Sequence, residues 1–117
     1  MGIGTNAPTS KLHVLGDVQA SGDVRVGSIF SLTSTTLAAP SGGTLNPSTS
    51  YVRLTALAGP ITLGSTAIAN GAAVGAILIL EGPSSNTVTI NDASNVQLGA
   101  ASRILGANDT LMLVWNG

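Results

Sequence analysis

Few residues of this chain could do chemistry, and their spacing argues against catalysis. The acids are Asp17, Asp23, Glu81, Asp92 and Asp109, the bases are Lys11, Arg25, Arg53 and Arg103, and the one histidine is His13. With one His, no Cys and no acid pair at helical spacing, a single chain supplies neither a nucleophile triad nor a mononuclear metal site. Two carboxylates from different protomers could meet across an interface, as glycoside hydrolysis requires. These acids, however, sit among turn residues, where Asp is expected anyway because its side chain bonds its own backbone. The glycines of residues 2–5 lack the spacing and the preceding strand of a phosphate loop. No enzyme activity, catalytic residue or cofactor is therefore expected.

Composition narrows the partners. Charged residues make up 8% of the 117 residues and aromatic ones 3%, against a usual charged share of about 25%. The net charge of -1 provides no basic field for nucleic acid or an anionic membrane. No segment reaches the ~20 apolar residues that span a bilayer, and residues 1–15 lack the basic start and apolar run of a signal peptide. Without cysteine, stability does not depend on redox state. A hydrophobic share of 44% with so little charge predicts that some surface is buried in an oligomer.

The elements that must position any site are strands. Residues 76–80 are a continuous apolar run, residues 87–90 and 95–98 alternate, and residues 110–115 place Leu111, Leu113 and Trp115 on one face. Residues 51–57 alternate as well, with Val52, Leu54 and Ala56 on one side and Tyr51, Arg53 and Thr55 on the other. A short strand is expected at 61–63. Residues 67–71 read either as a brief helical turn or as a hairpin closing at Asn70-Gly71. Turns at 82–85, 91–94, 99–102 and 106–109 recur with almost no helical periodicity, which indicates a sandwich, a barrel or a β-prism. Trp115 reads as core and Tyr51 as the better candidate for an exposed contact.

The first half is different. In residues 11–27 the triplet Gly-Asp-Val occurs at 16–18 and again at 22–24, with single valines at 14, 18, 24 and 26. A lone extended strand with so few apolar groups cannot offset ordering entropy of about 1–2 kcal/mol per residue. It pairs with copies of itself, or it is a loose linker. Residues 31–37 could form one irregular strand, and Pro40, Gly42, Gly43, Asn46 and Pro47 then crowd into loop composition.

Residues 2–16, GIGTNAPTSKLHVLG, resemble the GIGT-x-x-P-x-x-K-L-H/D-V-x-G motif of bacteriophage tail fibres and related bacterial surface fibres. The match holds at Gly2, Ile3, Gly4, Thr5, Pro8, Lys11, Leu12, His13, Val14 and Gly16. Residues 86–117 also resemble a module from the distal ends of such fibres. The resemblance implies a homotrimer with a slender shaft and a small β head, located in the virion tail fibre or at a cell surface. Related modules run on past the Trp-Asn-Gly, often with a further Trp, and here this sequence departs from the resemblance.

The expectation is thus an all-β, homotrimeric fibrous protein, whose extended intertwined N-terminal strands lead to a small β-sandwich or β-prism-like head. Residues 1–29 form the shaft segment, 30–50 a transition with Phe30 packed at the junction, and 51–117 the head. The partners expected are the chain itself, a host cell-surface glycan or protein receptor, and other tail or virion proteins. The alternatives are a self-assembling surface filament or capsid decoration, and a glycan-processing enzyme with interchain sites. On a threefold axis three copies of His13 could converge on a metal or anion; the plainer reading is a packed or solvent-facing histidine. Asp17 and Asp23 could bridge to Arg25 between chains. Receptor contacts are expected at Tyr51 and in the head loops, at Ser84, Ser85, Asn86, Asp92, Asn95, Asn108 and Asp109, because rigid β scaffolds present binding through loops. Residues such as Ile77 and Ile79, in a run apolar on both faces, are expected to meet a neighbouring chain.

Overall fold

Alternation in the sequence becomes alternation across sheets. The computed structural model describes residues 1–69, 71, 73–93 and 95–117, and divides into two units, Met1–Phe30 and Ser31–Gly117. Asn70 of the turn expected at Asn70-Gly71, and Ser94 at the end of the turn at 91–94, fall outside that description.

In the N-terminal unit the GIGT motif is a local structure. Strands β1 (Gly2–Ile3) and β2 (His13–Val14) pair in parallel, with Gly2 opposite His13 and Ile3 opposite Val14. The glycines are required by close approach. A Cβ at Gly4, whose φ is +73, would lie 2.6 Å from the Leu15 carbonyl oxygen, and one at Gly2 would lie 2.5 Å from that of Thr5. His13 belongs to this turn: its Nδ1 accepts the Thr9 backbone N–H at 3.3 Å. Beyond Val14 the unit has no further strand among its described residues, and Val18 and Val24 are 74% and 72% exposed. Arg25 meets Asp23 of the same chain at 3.9 Å, an exposed pair of little energetic weight.

The second unit is a sandwich. One sheet orders β3 (Ser34–Ala38), β4 (Tyr51–Thr55), β6 (Ile77–Glu81) and β9 (Thr110–Val114); the other orders β5 (Ile61–Thr62), β7 (Val88–Asn91) and β8 (Ser102–Leu105). β3, β4 and β6 run parallel, and β9 returns antiparallel to β6. Registers place Val52, Leu54, Leu78, Leu80, Leu111 and Leu113 on one face, which meets Leu63, Val88, Ile90 and Leu105 in a single core. Burying such side chains contributes roughly 1.5–3 kcal/mol each relative to exposure.

The parallel order continues outside the named strands. Leu45 bridges Ile68 in parallel, with Leu45 N–H donating to Ala67 O at 2.9 Å and Ala69 N–H to Leu45 O at 2.7 Å. Gly42 N–H donates to Thr62 O at 2.8 Å, so the segment after β3 also bonds β5. At the next level the Asn95 side-chain amide donates to Ile68 O, in place of a backbone strand. Residues 95–98, expected as a strand, therefore form only the isolated bridge of Ala93 with Val96. β8 was not anticipated, since its adjacent Ile104 and Leu105 point to opposite faces, one 61% exposed and one buried. β3, Ala39 and Leu45, within the stretch read as a transition, lie in the compact second unit, the latter two in its core.

A Cβ at Gly82 would overlap the Gly106 carbonyl oxygen, whereas one at Gly27 meets nothing within 4 Å. Gly82→Ala should therefore lower stability by roughly 1–3 kcal/mol in urea denaturation, while Gly27→Ala should leave the midpoint unchanged. Equal midpoints for both would contradict this packing.

Candidate functional site

The outward face of the four-stranded sheet is divided. Its β3 and β4 side carries Ser34, Thr36, Tyr51, Arg53 and Thr55, and its β6 and β9 side carries Ile77, Ile79, Met112 and Val114. Glu81, at the end of β6, lies opposite Arg53 in the parallel register and closes the polar half. Tyr51 Oη donates to Glu81 Oε2, and Arg53 Nε donates to Glu81 Oε1 at 3.4 Å.

These contacts set the charge states. The Tyr51 hydrogen bond, with Arg53 adding, holds the Glu81 carboxyl below its ordinary range. The same bond foremost, with partial burial, pushes the Tyr51 hydroxyl above its own. Glu81 thus favours folding while ionised, and that contribution is lost as pH falls through its lowered folded value. Tyr51 favours folding while protonated, present below its ordinary value and lost as pH rises through the raised one.

A groove of about 480 Å³ opens beside this cluster, lined by Thr36, Arg53, Thr55, Glu81, Ser84 and Asn108 among others. Two pinned loops bring the last two there. Gly82 N–H donates to Asp109 O at 2.8 Å, and Asp109 Oδ2 accepts Gly106 N–H at 2.8 Å, which fixes the turn presenting Asn108 at φ 66. Asn86, at φ 63, donates through its side chain to Ala56 O at 2.5 Å and anchors the loop carrying Ser84. Ser84 and Asn108 thus line the groove and Tyr51 bonds the Glu81 wall, whereas Asn86 and Asp109 hold the loops. Ser85 is exposed outside the lining. Asp92 Oδ2 accepts Leu98 N–H at 3.5 Å, and Asn95 supports the Ile68 bridge; both lie away from this groove. Sequence reasoning did not single out Thr36, Arg53 or Glu81. The available signal was that Arg53 and Tyr51 share one strand face.

A larger groove, about 1040 Å³, opens at the other end of the same sheet, where β6 begins and β9 ends. Its walls include Ile68, Leu78, Leu113 and Trp115 with the uncharged Asn95 and Gln97. Trp115 is half-buried and packs on Gly71, where a Cβ would come within 2.7 Å of the indole. Among the described residues no group of three His, Cys, Asp or Glu side chains could hold a metal ion, and no helix is long and apolar enough to cross a membrane.

Fold and grooves together define a β-sandwich domain that gathers its polar groups at an open surface. A family model described as the phage depolymerase C-terminal beta sandwich domain matches residues 36–117. The chain belongs to that family and is a phage tail-associated protein. The GIGT motif lies outside the matched range. No curated protein and no solved structure matches the chain.

Replacing Tyr51 by Phe removes the leading cause of the Glu81 shift. Carboxyl-carbon NMR titration of Tyr51→Phe should show the Glu81 midpoint moving up toward the ordinary value. An unmoved midpoint would assign the shift to Arg53 instead.

Proposed function

We propose that this chain is a non-catalytic, homotrimeric segment of a phage tail fibre or fibre tip that acts in attachment to the host surface. The observation carrying this reading is the apolar half of the outward sheet face. Ile77, Met112 and Val114 are 47%, 62% and 59% exposed and share one face with Ile79. Scattered exposed apolar residues are ordinary, but a contiguous set on one rigid sheet is the mark of an interface. The occupant is a second copy of the chain. The patch carries no charge, the whole chain has few, and a head-to-tail contact repeated around a threefold axis closes without leaving a copy unsatisfied. In the N-terminal unit, winding of three chains would cover Val18 and Val24, which are exposed and belong to no strand among the described residues.

The non-catalytic part of the reading is supported by how the carboxylates are used. Asp109 holds a turn, Asp92 accepts a backbone N–H, and Glu81 is tied to Tyr51 and Arg53.

Light scattering on the intact chain should give three times the 11.5 kDa chain mass. Ile77→Asp and Met112→Asp should each weaken assembly by a few kcal/mol, because a charge would be buried without a partner. A monodisperse wild-type monomer, or variants that remain fully assembled and heat-resistant, would overturn the trimer reading.

A further inference from the structure

The groove at the ends of β4 and β6 has a donor and acceptor pattern that points to one class of ligand. A carboxylate offers about four lone-pair positions. Tyr51 uses one on Oε2 of Glu81 and Arg53 uses one on Oε1, so acceptor capacity remains on both oxygens. Arg53 commits Nε, and its terminal nitrogens remain as donors on a side chain that is 58% exposed. The Thr36 and Ser84 hydroxyls and the Asn108 amide, neutral groups that both donate and accept, share the lining with this pair.

We infer that this groove is a saccharide site, in which the Arg53–Glu81 pair reads adjacent hydroxyls of a neutral glycan. A sugar hydroxyl both donates and accepts, so a vicinal pair can give its protons to Glu81 while taking N–H groups from Arg53. An anionic ligand, such as a uronate or phosphate, would bring a second negative charge against Glu81 and is disfavoured. The groove volume of about 480 Å³ falls within the range of small-molecule sites, about 300–1,000 Å³. The lining is also preorganised: Asp109 and Asn86 hold its two loops through backbone contacts, so binding does not have to order them.

The inference rests on the attachment reading and names the ligand class for it. The two fail separately, because assembly is read as mass and the groove as ligand-dependent shifts that a monomer would also show. The experiment is a backbone-amide NMR titration of the full chain with methyl glucoside, methyl mannoside, methyl galactoside and N-acetylglucosamine. Glucuronate and inorganic phosphate serve as the anionic probes. At least one neutral sugar should move the amides of Thr36, Arg53, Glu81, Ser84 and Asn108 together. Glu81→Gln should weaken that binding about tenfold or more, and Thr36→Val, on an exposed edge strand, should weaken it without touching the Tyr51 contact. Ser85→Ala, outside the groove, should bind as the wild type does. The inference is overturned if no neutral sugar moves these residues, if the shifts fall elsewhere, or if glucuronate or phosphate shifts Arg53 more than every neutral sugar. Unchanged affinity in both groove variants would overturn it as well.

Discussion

Strand β6 is hydrogen-bonded on both edges and apolar on both faces, and the rest of the second unit follows from satisfying it. Its register with β4 puts Leu80 beside Val52, and its register with β9 puts Leu80 beside Leu111. Those residues face the core, where Leu80 and Val52 are fully buried. The same registers turn Ile77 and Ile79 outward beside Val114 and Met112. A one-residue slip would exchange the two faces, so the buried leucines specify where the outward apolar patch lies.

Glu81 ends that strand and changes its character. One residue after the buried Leu80, the chain places a carboxylate on the outward face, where Tyr51 and Arg53 from the neighbouring parallel strand can both reach it. Gly82 then allows the turn to pass close under the Gly106 carbonyl, and Asp109 ties the two loops together. The polar groove is thus a consequence of how the sheet ends. Its walls are positioned by backbone contacts that no single loop could supply alone.

Alternation made much of the sheet legible in advance. Tyr51 opposite Val52 and Leu54, the two-faced apolar run at 76–80, and the leucines at 111 and 113 all came out on the expected faces, because period-2 patterning reports burial directly. β8 was hidden, since Ile104 and Leu105 read as one apolar pair when they serve opposite faces. Asn95 was misleading for another reason: it sits in an alternating stretch, yet its side chain replaces the backbone of a strand. Among the receptor candidates, residue type located the loops well but could not distinguish Ser84 and Asn108, which reach the groove, from Asn86 and Asp109, which hold the loops in place.

By itself, then, the sequence determined an all-β chain with few charges, glycine-bearing turns between its strands, and strands whose apolar faces were readable. Those properties are local, set by side-chain periodicity and by backbone conformations open to glycine. Only the tertiary structure decided that β3, β4 and β6 run parallel, that Arg53 and Glu81 meet although 28 residues apart, and that Ser84 and Asn108 border the same groove. Such pairings depend on register between distant segments, and register is selected by the joint burial of the whole core.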